Sequence, residues 1–301
     1  MKYSIEFIRL LAVVLITLTH TRHSLIKEDS RLTYFIVEEL PTIGTVLLSL
    51  VSGYLFFTIS YNKTNLFLNK VKTLLIPFLI VNILVLALVL LANYGFGYNA
   101  LNRMTYDFSM ITEGVFSLNF PPINPPTYFI RDIFVIFVLI EFVRNRNLYM
   151  LLIIIPLLIF GKLLLRYDIL VLFLIGIAIG KFEFRILEPK IKQVIMVLLS
   201  AISLVFVFKA DVAVYKYTVA LLILILIIGL KIKFYNVGPY SYLLHLYHSP
   251  IIVCSYPLIK NVSDNELLLI LLQIIIAFTC TYLLYKLTRK IPQLRILCGY
   301  K

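Results

Sequence analysis

The stretch RLLAVVLITLTH, Arg9 to His20, decides how this chain is read. Ten uncharged residues, nearly all apolar, separate an arginine from a histidine. A helix crossing a hydrocarbon core of about 30 Å needs roughly 20 such residues. The stretch therefore belongs to a membrane span, expected over residues 5–21, with a polar group near each end. The eleven steps from Arg9 to His20, at about 100° each, come to about 20° past three full turns, so both side chains share one face. At about 1.5 Å per residue they stand about 16 Å apart, roughly half the hydrocarbon thickness. Glu6, three residues before Arg9, lies near the same face and can pair with it. Two readings are open. Either Arg9 snorkels to one headgroup layer while His20 sits at the other, or the helix marks two ends of a path through the membrane, since ionisable residues inside spans mark functional sites. A histidine has the proton affinity to act as a base toward a hydroxyl near neutral pH.

The rest of the chain is as apolar as this stretch. Of its 301 residues 61% are hydrophobic and 14% charged, with a mean hydropathy of +0.98. Soluble domains have roughly 45–50% apolar and about 25% charged residues. No globular core of this size hides so much apolar surface, which makes the chain an integral membrane protein. The net charge of +13 does not point to nucleic acid, because the basic residues form short clusters between apolar runs, as orientation signals do. Cys254, Cys280 and Cys298 lie in or beside apolar segments without metal-ligand or disulfide spacing, and are expected as packing residues. MKYSIEFIRL opens a run with no small-residue cleavage site after it, so the first span is expected to be retained.

Apolar runs bounded by charge, proline or glycine suggest ten spans, at about 5–21, 41–60, 73–93, 127–143, 147–162, 167–181, 193–209, 213–230, 239–259 and 267–286. Placing the N-terminus in the cytoplasm puts 18 of the 28 Lys and Arg on the cytoplasmic side, among them Lys63, Lys70, Lys72, Arg144, Arg146, Lys181, Arg185, Lys231, Lys233 and Lys301. That bias supports an even number of spans with both termini inside. The expected fold class is all-α, a polytopic helical bundle. Nothing marks a second domain, so residues 1–301 are expected as one membrane-embedded domain without a soluble one. The two longest loops, 21–40 and 94–126, then lie outside, and the prolines of FPPINPPTYF favour an extended path there.

With these segments placed, the chain resembles the acyltransferase-3 family of integral membrane O-acyltransferases. Arg9 and His20 match its arginine, ten residues and histidine on the first span. GTVLLSLVSGYLF is similar to its second-span stretch at Gly44, Ser52, Gly53 and Tyr54. NKVKTLLIPF resembles the basic cluster ahead of a proline, at Lys70, Lys72 and Pro77. PPTYFIRDIFVIFVL is similar to its aromatic-Phe-Ile-Arg-Asp segment, at Tyr128, Phe129, Arg131 and Asp132. PYSYLLHLYHSPI matches the Ser…His-x-Pro pattern at Ser241, His248 and Pro250. The matches fall in the family's order and cover most of the chain. There are departures. Tyr128 stands where the family usually has Trp, and Lys70-Val-Lys72-Thr73 replaces its Arg-x-x-Arg, losing guanidinium's bidentate geometry. Val46 stands where many members have an acid, and His245 where tyrosine is usual.

The resemblance implies an enzyme that moves an acyl group, acetyl first, from cytoplasmic acyl-CoA to a hydroxyl of a cell-surface glycan or its lipid-linked precursor. No permanently bound cofactor is expected, and the enzyme would sit as a multi-pass protein in the cytoplasmic membrane. In that reading His20 is the base. Arg9, Lys70 and Lys72 form a basic inner mouth for the donor's phosphates. Glu38 or Glu39, the nearest carboxylates in sequence to the outer end of the path, would orient the imidazole. Ser52, Tyr128, Arg131, Asp132 and His248 are candidates for substrate binding or structure. Each has a bland alternative: close packing for Ser52 and Gly53, topology signals for the lysines, helix-end pairing for Arg131 and Asp132, and interfacial charge for Glu38 and Glu39. His245 and His248, three apart, lack the accompanying carboxylate of a zinc motif and are expected to hydrogen-bond within the bundle. The rival from another class is a polysaccharide exporter or polymerase-like protein that handles glycan without acyl transfer.

Overall fold

The computed structural model describes residues 2–26, 31–63, 65–99, 101, 104–182, 189–208, 212–230 and 234–299. Arg185, Lys231, Lys233 and Lys301, part of the expected topology signal, lie outside the described residues. Among the described residues ten long helices and no strand are present. They are α1 Lys2–Leu18, α2 Arg31–Ser60 and α3 Leu66–Gly95, α4 Tyr128–Asn145, α5 Leu148–Phe160, α6 Tyr167–Lys181, α7 Pro189–Phe208, α8 Val212–Gly229, α9 Gly238–Ile259 and α10 Glu266–Lys290.

Each expected apolar run thus lies on a helix. Three of these helices, α2, α3 and α10, are long and apolar enough to cross a membrane by length and composition. Others are shorter or carry charge, as α4 does with Arg131, Asp132, Glu141 and Arg144, and α9 is diluted by Tyr, His, Ser and Pro. α2 and α3 run longer than the apolar runs suggested because the helix adapts around its prolines. A 3₁₀ turn at Leu40–Thr42 contains Pro41, and a π turn at Val71–Leu75 precedes Pro77. Both are local ways to absorb a residue that lacks an N–H and crowds the preceding turn.

α1 ends sooner than expected, at Leu18. The reason lies in the threonines of ITLTHT. Thr17 donates to the Val13 carbonyl at 2.9 Å, Thr19 to Ile16 at 2.8 Å and Thr21 to Leu18 at 2.8 Å. The last two bonds fall on carbonyls of the final turn, which a terminating helix leaves without intrahelical partners. His20 therefore sits on a closing turn, its N–H donating to Thr17 at 3.2 Å.

Packing around α2 depends on three glycines. A Cβ at Gly44 would lie 2.6 Å from the Ala12 carbonyl of α1. One at Gly53 would overlap the Phe173 carbonyl of α6, and one at Gly176 of α6 would overlap that of Leu50. Backbones in contact through small residues are how apolar helices associate without a hydrophobic driving force. α9 completes the centre of the bundle, packed on α1 and α10. Cys298 is buried, but Cys254 and Cys280 are exposed on the helices and do not pack in the core as the sequence suggested.

The proline-rich stretch before α4 folds back into the protein and braces α9. Pro250, inside α9, has no N–H to offer the Leu246 carbonyl four residues earlier. The side-chain amide of Asn124 supplies that bond at 2.7 Å. Asn124 is held in turn: its backbone N–H donates to Asn82 Oδ1 at 3.1 Å, and its carbonyl accepts from the Thr127 hydroxyl at 2.8 Å. Asn82, Asn124 and Thr127 are all essentially inaccessible. Irregular backbone at this depth is tolerable because its polar groups are satisfied inside the protein.

Candidate active site

The two ends of the Arg9–His20 stretch border different cavities. A proximal cavity of about 550 Å³ lies against the first half of α1 and is lined by Glu6, Arg9, Ser52, Lys70, Ser241 and His245, with Phe129 and Phe137 among its apolar walls. Arg9 is 28% exposed and stands 3.3 Å from Glu6 Oε1. The first residue of α9, Gly238, makes room for this pair, since a Cβ there would lie 3.0 Å from Glu6 Oε2 and 3.1 Å from Arg9 Nη1. The half-buried Lys70 ammonium sits 4.0 Å from the centroid of the Phe137 ring, a cation–π contact. Lys72 is exposed and does not line the cavity. Ser52 donates to the Leu48 carbonyl at 2.7 Å and borders the cavity; its neighbour Gly53 serves helix packing.

His20 lines two distal cavities. One, of about 470 Å³, is mostly apolar and bordered by α3, α9 and the proline-rich stretch, including Asn124, Pro250 and Cys254. The other, of about 300 Å³, is polar, with Thr45, Ser49, Tyr128, Arg166, Asp168 and Lys216. This polar cavity and the proximal one share Phe129 and His245 as wall. The two rings meet edge to face at 5.8 Å, and both residues are buried. His248 lies behind, its ring centroid 5.3 Å from that of His20 and 6.2 Å from that of His245. His248 Nδ1 stands 2.7 Å from the Leu244 carbonyl. A carbonyl only accepts, so this nitrogen carries the proton, and in the neutral ring the lone pair is on Nε2. That Nε2 is buried with no hydrogen-bond partner among the described residues.

Arg131 and Asp132 shape the segment that delivers Arg166. Both are buried and pair at 2.8 Å. Arg131 donates to the carbonyls of Lys162 at 2.5 Å and Leu163 at 2.7 Å, while the Asp132 carboxylate accepts from the N–H groups of Leu165 at 3.0 Å and Arg166 at 2.9 Å. A buried ion pair is tolerable when backbone groups satisfy its remaining valences, as here. Arg166, fixed at the start of α6, donates to both oxygens of Asp168 at 3.2 and 2.7 Å and to the Tyr128 hydroxyl at 3.2 Å. The aromatic-Phe-Ile-Arg-Asp segment is thus a positioning device whose tyrosine reaches the cavity and whose ion pair does not.

Sequence reasoning grouped Arg9 with Lys70 at a basic mouth, and both line the proximal cavity, where the structure adds Ser52 and, on the polar one, places Tyr128 with His20. It grouped Lys72 with Lys70, but the two are two positions apart, roughly 200° around a helix, and cannot face one cavity together. Glu38 stands 2.9 Å from His23 Nε2, and neither it nor Glu39 lines a cavity that His20 borders. Arg166, Asp168 and Lys216 were passed over as loop and span residues. The available signal was a cluster of charge in GKLLLRYD, between two runs too short to need a charged separator.

A bundle of apolar helices, with charged side chains turned onto internal cavities, defines a membrane protein built for chemistry inside its own walls. A family model described as an acyltransferase domain, that of the acyltransferase-3 family, matches residues 2–286. The chain belongs to that family and is a membrane acyltransferase. Comparison with curated proteins and with solved structures finds no match.

Proposed function

We propose that this acyltransferase moves an acetyl group from acyl-CoA to a hydroxyl of a cell-surface glycan or its lipid-linked precursor. In this reading all ten helices cross the cytoplasmic membrane, both termini are cytoplasmic, and the proximal cavity opens inward. The observation that carries the reading is the shared wall: a cavity lined by Arg9 and Lys70 and a cavity lined by His20 meet at Phe129 and His245. The donor's phosphates would rest on the cationic side, held by Arg9 and Lys70. Its thioester would reach toward His20, on the turn just past the end of α1.

His20 takes the proton of the acceptor hydroxyl as the oxygen attacks the thioester carbonyl. The C–S bond breaks, the ester remains on the sugar, and the proton passes to the leaving thiolate. His248, with its proton committed to Leu244, keeps an unprotonated Nε2 in a ring whose centroid is 5.3 Å from that of His20. Mass spectrometry of surface glycans tests the reading. Deleting the gene should remove esters from the glycan and complementation should restore them. Unchanged ester content per sugar, with less glycan exported, would make the protein an exporter and end the proposal.

A further inference from the structure

The distal polar cavity carries more positive charge than its walls balance. Its fixed charges are Arg166, Asp168 and Lys216. Arg166 and Asp168 neutralise one another through two hydrogen bonds, and the Tyr128 and Tyr217 hydroxyls stand at 3.2 and 3.5 Å on the same pair. Lys216 is left over. It is half-buried on α8, its ammonium 4.9 Å from the Tyr217 ring centroid, and among the described residues no carboxylate stands within ion-pair distance of it. Glu38 stands 2.9 Å from His23 Nε2, and neither it nor Glu39 lines this cavity. Val46 adds no carboxylate to the wall.

A half-buried ammonium on a cavity wall is costly without a counter-charge. The cavity that holds it is also the one His20 borders. We infer that the acceptor carries an anionic group, a sugar carboxylate or a phosphate, and that Lys216, beside the Arg166–Asp168 pair, binds it. The inference rests on the acyl-transfer reading, which brings the acceptor's hydroxyl to His20. It assigns Lys216 a substrate-binding role and makes the enzyme selective for charged over neutral glycans. The Arg131–Asp132 pair serves that site at one remove, by fixing the segment on which Arg166 rides.

The test uses the full chain in nanodiscs of neutral phosphatidylcholine. Three probes are titrated: methyl glucoside, methyl glucuronide and methyl glucoside 6-phosphate. The charged probes should bind at least about tenfold tighter than the neutral one, as one charge-assisted hydrogen bond provides. Lys216→Gln should bring the ratio to about one, and Lys216→Arg should keep it. Tighter glucuronide identifies a sugar acid as the acceptor's charge, and tighter phosphate a phosphorylated or lipid-linked sugar. Equal affinity for the neutral probe, no binding of either charged probe, or charged binding untouched by Lys216→Gln overturns the inference. Acetyl transfer from labelled acetyl-CoA to cell glycan is measured on the same preparation. Transfer without charge preference removes the anion site alone, whereas anion binding without any transfer removes the acyl-transfer reading.

Discussion

Replacing Asn124 with alanine isolates the bond that lets a proline sit inside α9. In the native protein the Leu246 carbonyl receives no intrahelical N–H, because residue 250 is proline, and the Asn124 amide serves it at 2.7 Å. The substitution removes one donor and leaves a buried carbonyl without a partner, a loss of about 1–3 kcal/mol. The Asn124 Oδ1 makes no hydrogen bond among the described residues, so nothing is lost on that side. A double-mutant cycle with Pro250→Ala separates this from a general packing defect. Alanine at 250 restores an N–H that can reach Leu246, so Asn124→Ala should then cost less than half as much, with a coupling energy of at least about 1 kcal/mol. Equilibrium unfolding in mixed micelles, followed by far-ultraviolet circular dichroism, measures all four proteins. If Asn124→Ala costs the same in both backgrounds, to within about 0.3 kcal/mol, the proline-rich stretch does not brace α9 in this way.

The other predictions concern named contacts. Lys70→Gln should raise the KM for acetyl-CoA several-fold and Lys72→Gln should change it little, since only Lys70 borders the proximal cavity; equal effects in steady-state kinetics would deny that cavity a donor role. Gly53→Ala and Gly176→Ala should each cost about 1–3 kcal/mol or more, because the added methyl meets backbone carbonyl across the α2–α6 contact; gel filtration in detergent would show a loss of monodisperse protein, and an unaffected elution profile for both would contradict the packing. Asp132→Asn leaves the Arg131 guanidinium buried without its counter-charge and should destabilise by about 3–5 kcal/mol, read by the same unfolding assay; a near-neutral effect would mean that the 162–166 segment is held by other contacts.

What was legible in the sequence is what a helix carries along its own length. Runs of apolar residues placed all ten helices, and the Arg9–His20 stretch holds two side chains that border different cavities, Arg9 within α1 and His20 just past its end. The threonines that stop α1 at Leu18 could have been read as well, but a hydropathy scan scores them as tolerable span residues. The candidate site was legible only in its first half. Arg166 and Lys216 reach one cavity with His20 because α6 and α8 both pack on α2, and adjacency between helices leaves no periodic trace in a single chain. The same gap hid the roles of Arg131 and Asp132. Their partners, the backbone of residues 162–166, are about 30 positions away and contribute N–H and C=O groups that every residue has.

The central claim is that His20 is the base that activates the acceptor, and turnover in a His20→Gln variant tests it most directly. Purified wild-type and variant proteins in nanodiscs would be supplied with labelled acetyl-CoA and glycan from the deletion strain. Their folded state would be matched by the unfolding assay. General base catalysis is worth about 10²- to 10⁴-fold, so kcat should fall by that factor, with the donor KM within about twofold of wild type. A folded His20→Gln protein that transfers acetyl at near the wild-type rate would contradict the account.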